Sequence, residues 1–175
     1  MSPIELSTGV LSTSLPFLLE EDGQYTLLRP ASREEIIAKA LALVAQQVAR
    51  GAALESPSDC RAFLALALGT QERELFYCIY LDNQHRILQA EVCFLGTINS
   101  ASVHPREIVK QALALNACAL VVAHNHPSGT VNASEADRQL TRNLKQALAL
   151  VEVRLLDHVI VAAGDFYSFA EAGCL

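Results

Sequence analysis

Residues 124–129 read "HNHPSG", directly after the apolar run "CALVVA". Side chains on a strand alternate faces, so His124 and His126 point the same way at the end of a buried strand. Two imidazoles so placed form a common half of a zinc site. An H-x-H pair alone equally suits core or surface histidines, so a third ligand is needed. The loop "PSGTVNA" leads to Ser134, and Asp137 follows three residues later, in the first turn of the next helix. A carboxylate there can lean back towards the strand end. Two His and one Asp would leave a tetrahedral zinc with an open fourth position for water, the pattern of a catalytic site. Ser134 and Asp137 also stand where a helix takes its N-cap and an early acid. The two readings are compatible: Asp137 can serve a metal while Ser134 caps and donates a hydrogen bond.

The elements that must hold these residues follow from periodicity. Residues 1–31 are rich in Ser, Thr and Pro, with a short strand expected at "QYTLL" (24–28). Ser32 and Glu35 form a capping-box pair, and apolar residues then recur at helical spacing until Gly51. A second helix is expected at about 58–68, between Pro57 and Gly69. "ELFYCIYLD" (74–82) and "RILQAEVCFLGTI" (86–98) read as strands joined by the turn "DNQH". Pro105 can open a helix whose body is "REIVKQALALNA" (106–117). "ACALVVAHNH" (117–126) is a buried strand, 134–151 a helix, 153–163 a strand, and 165–173 a last short strand after Gly164. The order is a helical N-terminus followed by β-β-α-β-α-β-β. It predicts an α/β (α+β) domain, a mixed central β-sheet flanked by helices. The expected division is an N-terminal extension, 1–56, and a catalytic domain, 57–175.

Bulk properties narrow the classes. The 175 residues are 51% hydrophobic and 18% charged, enough apolar material for a sizeable core. A net charge of −6 disfavours tight non-specific nucleic-acid binding, which needs a basic surface. Five cysteines, an odd number with no C-x-x-C pair, suit a reducing compartment better than a disulfide framework. The N-terminus lacks the basic and apolar regions of a signal peptide, and no apolar stretch approaches a membrane span. The expected location is the cytoplasm.

The motif H-x-H-P followed by S-x-x-D at this spacing resembles the JAMM (MPN+) zinc metalloprotease motif. The longer string "GTINSASVHPREIVKQALALNACALVVAHNHPSG", with "LLDHVIV" and "YSF" downstream, resembles the bacterial RadC-like branch of that superfamily. The likeness runs from roughly residue 57 to the C-terminus. It implies a JAB/MPN-like, cytidine-deaminase-like core, one Zn2+ per chain held by His124, His126 and Asp137, and hydrolysis of peptide or isopeptide bonds in a peptide or protein substrate. The resemblance also asks for an upstream glutamate that binds the metal's water. Glu74, opening "ELFYCIYLD", matches it as the base, with Glu72, Glu91 and Glu107 as rivals. Ser134 would steady the oxyanion. Longer RadC relatives carry a helix-hairpin-helix-like module ahead of this domain; the first 56 residues here are too short for it and lack its Gly-rich hairpins.

Other features carry weaker signals. Asp157-His158 is either a hydrogen-bond partner for a histidine ligand or a strand-end polar pair. His85 lies in a turn, and His104 either starts a helix or lines the cleft. Arg138, Arg142 and Lys145 form a stripe that reads as the wet face of an amphipathic helix. Asn125 points away from the ligands, while Pro127 and Gly129 shape the exit turn. Three functions compete: a zinc-dependent hydrolase, a DNA-repair-associated accessory protein, and an inactive zinc-binding interaction module. The intact His-His-Asp-Ser set favours the first, and nucleic acid is a disfavoured partner. A nucleobase deaminase is excluded, because its H-x-E…P-C-x-x-C signature is absent.

Overall fold

The computed structural model describes residues 17–19, 25–49, 57–69, 71–96 and 103–175. The chain divides into two compact units, Met1–Ala40 and Leu41–Leu175. In the first, strand β1 (Phe17–Leu19) pairs antiparallel with β2 (Tyr25–Leu27). Helix α1 (Arg33–Ala49) starts there. Its capping box forms as expected: the Ser32 N–H donates to Glu35 Oε2 at 2.9 Å and the Glu35 N–H to Ser32 Oγ at 3.2 Å.

The second unit holds a five-stranded mixed sheet in the order β4-β3-β5-β6-β7. Its strands are β3 (Leu75–Leu81), β4 (Ile87–Leu95), β5 (Ala119–Asn125), β6 (Arg154–Ala162) and β7 (Asp165–Ser168). Helix α2 (Pro57–Leu68) precedes them, α3 (Pro105–Ala114) joins β4 to β5, and α4 (Glu135–Ala149) joins β5 to β6. Only β5 and β6 run parallel; β3–β4, β3–β5 and β6–β7 are antiparallel. The β3–β4 turn works because Asp82 Oδ1 accepts from the backbone of Gln84 and Arg86. His85 takes the left-handed conformation there.

Alternation along the strands builds two cores. Leu75, Ile79 and Leu81 of β3, with Val121 and Ala123 of β5, pack against Leu64 and Leu68 of α2. The intervening residues, Phe76, Cys78, Tyr80, Leu120 and Val122, pack against Ile108 of α3 and Leu144 and Leu148 of α4. Thus β5 is buried on both faces along its whole length. Several expected boundaries moved, the end of α3 from 117 to Ala114 among them. The last strand stops at Ser168 rather than 173, because the chain turns: the Ala172 N–H donates to the Ser168 carbonyl and the Cys174 N–H to that of Phe169. The strand expected over 86–98 is seen as Ile87–Leu95, and residues 97–98 lie outside the described residues.

Candidate metal centre

His124 sits on the α3/α4 side of β5, the face shared by Leu120 and Val122. By alternation His126 shares that side just beyond the strand end. The His126 N–H still donates to the Val161 carbonyl of β6 at 2.9 Å, so the residue is pinned as the chain leaves the sheet. Gly129 closes the turn with φ +81, its N–H donating to the His126 carbonyl, a conformation that favours glycine. The chain then enters α4 at Ser134, and the capping box is complete. Ser134 Oγ accepts from the Asp137 N–H, and Asp137 Oδ2 accepts from the Ser134 N–H at 2.8 Å and from its hydroxyl at 2.6 Å. Both donors engage one oxygen and leave Asp137 Oδ1 facing His124.

The ligand atoms of His124, His126 and Asp137 lie within 4.8 Å of one another, a cluster that could hold a metal ion. The two Nε2 atoms are 2.9 Å apart. Asp137 Oδ1 is 3.3 Å from His124 Nε2, and Oδ2 is 3.8 Å from His126 Nε2. Tetrahedral zinc with bonds of about 2.0–2.1 Å spaces its ligand atoms about 3.4 Å apart. The observed separations scatter around that value, with the carboxylate meeting the two histidines through different oxygens, so the donor set fits zinc in number and type. His126 is also pre-set: its Nδ1 lies 2.8 Å from the Thr130 carbonyl, which can only accept. Nδ1 therefore carries the hydrogen, and Nε2 presents a lone pair to the cluster. Burial alone would raise the Asp137 carboxyl; hydrogen bonds to its oxygens, those from the Ser134 N–H and hydroxyl among them, outweigh it and hold the group well below the usual carboxylate range. The Asp137 carboxylate is thus anionic at neutral pH.

A further histidine underlies the cluster. His158 of β6, wholly buried, places Nε2 2.9 Å from His124 Nδ1 and Nδ1 2.6 Å from the Thr141 hydroxyl of α4. Phe169 stacks on its ring at 4.8 Å and Phe76 meets it edge-on. Burial, then the neighbouring His124, pushes its pKa well down, so His158 is neutral. Of the two sequence readings of Asp157-His158, the hydrogen-bond partner holds for His158. Asp157 instead ties the C-terminal turn, accepting from the Ser168 hydroxyl at 2.6 Å and the Ala170 N–H at 3.0 Å.

The expected base, Glu74, lies outside the three-residue ligand cluster. It directly precedes β3 and is half-buried. Phe76 pairs with His124, so extending that antiparallel register sets Glu74 opposite His126, on the same face. The segment carrying Glu74 is clamped from behind by Asn125. The Leu75 N–H donates to Asn125 Oδ1 at 2.8 Å, and Asn125 Nδ2 donates to the carbonyls of Gln71 and Arg73. Of the rivals, Glu72 is exposed in the preceding bend. Glu91 and Glu107 line a separate cavity of about 310 Å³ between β4 and α3, with Tyr80, Cys93 and Gln111. His104 stands at the N-cap of α3 without capping it and meets Phe94 edge-on. Arg142 pairs with Glu135 along the exposed face of α4, as the stripe reading expects.

Sequence reasoning missed Thr141, the aromatic walls Phe76 and Phe169, and the clamping role of Asn125. The one signal for Thr141 was a β-branched hydroxyl four residues after Asp137 in an otherwise good helix.

Fold and site define a class first: a mixed-sheet α/β domain with a three-donor cluster at the end of a buried strand. Comparison with known proteins narrows it. Residues 54–174 match the RadC-like JAB domain, and the chain belongs to that family. It is 53% identical over 130 residues to a UPF0758 protein of Vibrio atlanticus. It is 51% identical over 130 residues to one of Vibrio cholerae. Each of these matches covers 74% of this chain and 58% of the relative. A UPF0758 protein of Photobacterium profundum is 43% identical over all of this chain and 82% of its own length.

Proposed function

We propose that the domain is a zinc-dependent hydrolase of JAMM type, cutting peptide or isopeptide bonds of a protein substrate in the cytoplasm. The observation that carries this reading is the convergence of His124, His126 and Asp137. Two imidazole nitrogens and one carboxylate oxygen meet within 4.8 Å at a strand end, with Oδ1 turned towards His124 and Oδ2 towards His126. A zinc ion held by these three would supply Lewis acidity, lowering the pKa of water towards about 7 and polarising an amide carbonyl. Glu74, on the same face, takes the proton of the attacking water and passes it to the leaving amine. Asn125 keeps that carboxylate's backbone fixed while it does so. The Ser134 hydroxyl steadies the carbonyl oxygen as charge develops, turning from the Asp137 oxygen it engages at rest. The net charge of −6 weighs against a nucleic-acid partner.

Metal analysis of the purified chain should give about one zinc per chain, lost in His126→Ala. Glu74→Gln should retain the zinc and abolish cleavage of a peptide-library probe. Zinc-free wild-type protein purified under zinc-replete conditions would reject the reading. An active Glu74→Gln variant would move the base to another residue.

A further inference from the structure

The hydrogen bonds beneath the metal cluster form a chain with a fixed direction. It begins at the backbone carbonyl of Asp137, which can only accept. The Thr141 hydroxyl donates to it at 2.6 Å. A hydroxyl has one hydrogen, so towards His158 Nδ1, also 2.6 Å away, Thr141 must accept. Hence His158 carries its hydrogen on Nδ1, and its Nε2 is a bare acceptor. The contact at 2.9 Å to His124 Nδ1 then needs the hydrogen on His124. Fully buried, His158 has no water to offer either nitrogen another partner.

We propose that Thr141 and His158 are positioning residues that hold His124 as its Nδ1–H tautomer, so that Nε2 always presents a lone pair to the metal. Asp137 would then act twice, its side chain as a ligand and its backbone carbonyl as the anchor that sets the tautomer of a second ligand. The opposite direction has two attractions: a hydrogen on His124 Nε2 could bond His126 Nε2, 2.9 Å away, or Asp137 Oδ1. The opposite direction therefore gains a long contact to Asp137, at 3.3 Å, and an Nε2–Nε2 contact that a metal ion held by both rings would replace. It would also leave the Thr141 oxygen and the Asp137 carbonyl facing each other at 2.6 Å with no hydrogen between them. The two 2.6 Å contacts of the Thr141 hydroxyl, the shortest of the set, decide the direction. Ligating histidines usually give their second N–H to a carboxylate, carbonyl or water. Here the acceptor is a neutral histidine in an aromatic box, so orientation is gained without adding negative charge.

The proposal rests on the metal-centre reading for its purpose, but its geometry is testable without metal. Nitrogen-15 NMR of metal-free protein at mildly alkaline pH should show His124 protonated on Nδ1 and His158 on Nδ1. Thr141→Val keeps the side-chain shape and removes the hydroxyl; it should mix the His124 tautomers and weaken zinc binding about 10- to 100-fold. Thr141→Ser and His158→Gln, which can still donate and accept, should restore both readouts, whereas His158→Leu should not. If Thr141→Val folds normally yet leaves the tautomer and the zinc affinity of wild type, the proposal fails. Hydrogen on Nε2 of His124 in wild type would overturn it directly. Loss of zinc affinity with an unchanged tautomer would also overturn it, marking the effect as packing. If wild type itself binds no zinc, the hydrolase reading falls while the NMR result still decides the relay.

Discussion

Asn125 lies between the two histidines and contributes nothing to the cluster they form. Its value is on the opposite face, where one amide satisfies the Leu75 N–H and two carbonyls of the segment bearing Glu74. Alternation made its direction readable from the sequence, but its partners are some 50 residues away in the chain, beyond the reach of any local pattern. Thr141 was hidden for the same reason: it reads as one more polar helix residue until His158 is folded against it. By contrast, the clustering of His124, His126 and Asp137 was readable because the first two share one face at a strand end and the third follows one short loop later. Asn125→Ala would leave the buried Leu75 N–H unpaired. It should destabilise the protein by about 1 to 3 kcal/mol in urea unfolding. It should also reduce any hydrolytic kcat, with zinc content unchanged, because His124, His126 and Asp137 lie on the other face.

At the scale of elements, the order from α2 to β7 was readable throughout, because each strand and helix carries its own period. The end of β7 was not. "DFYSFAEAG" keeps an alternating look, yet the Phe169 N–H donates to the His158 carbonyl and the Phe169 ring is taken by His158. A tertiary contact overrode a local pattern. The pairing of β3 with β4 carries its own chemical consequence. Burial, with Cys93 and Glu91 adding to it, pushes the Tyr77 hydroxyl up to about 12, and burial raises Tyr80 further still. A raised folded pKa means stability that is full below about 10, the unfolded value, and is lost as pH rises through about 12. Absorbance titration should therefore show these two tyrosines ionising late, together with loss of the circular dichroism signal. Ionisation of all four tyrosines near the ordinary value of about 10 in folded protein would contradict the burial seen here.

For the whole molecule, charge and topology set what can be expected. Among the described residues, no helix is long and apolar enough to cross a membrane. The net charge of −6 provides no general basic surface, and Arg142, a cation on the helix that carries Asp137, is already paired with Glu135. Fluorescence anisotropy at near-physiological salt should show no binding of a random-sequence DNA duplex. Salt-sensitive binding at micromolar protein or below would instead revive a DNA-associated role. The matched relatives in Vibrio are longer, the shared segment being 58% of their length.

The parallel pairing of β5 with β6 has a temporal consequence. His124 reaches His158 across 34 residues, and Leu75 reaches Asn125 across 50. The first exists only after α4 has crossed over to β6, the second only after α3 has brought β5 beside β3, which is slow, non-local work for a chain. A nascent chain presents the His-x-His pair early but not its rigid frame. Interactions formed after the folding barrier slow unfolding and leave the folding rate alone. Zinc added during stopped-flow refolding should therefore leave the folding limb unmoved and slow the unfolding limb, making metal capture a clock for the last step of sheet assembly.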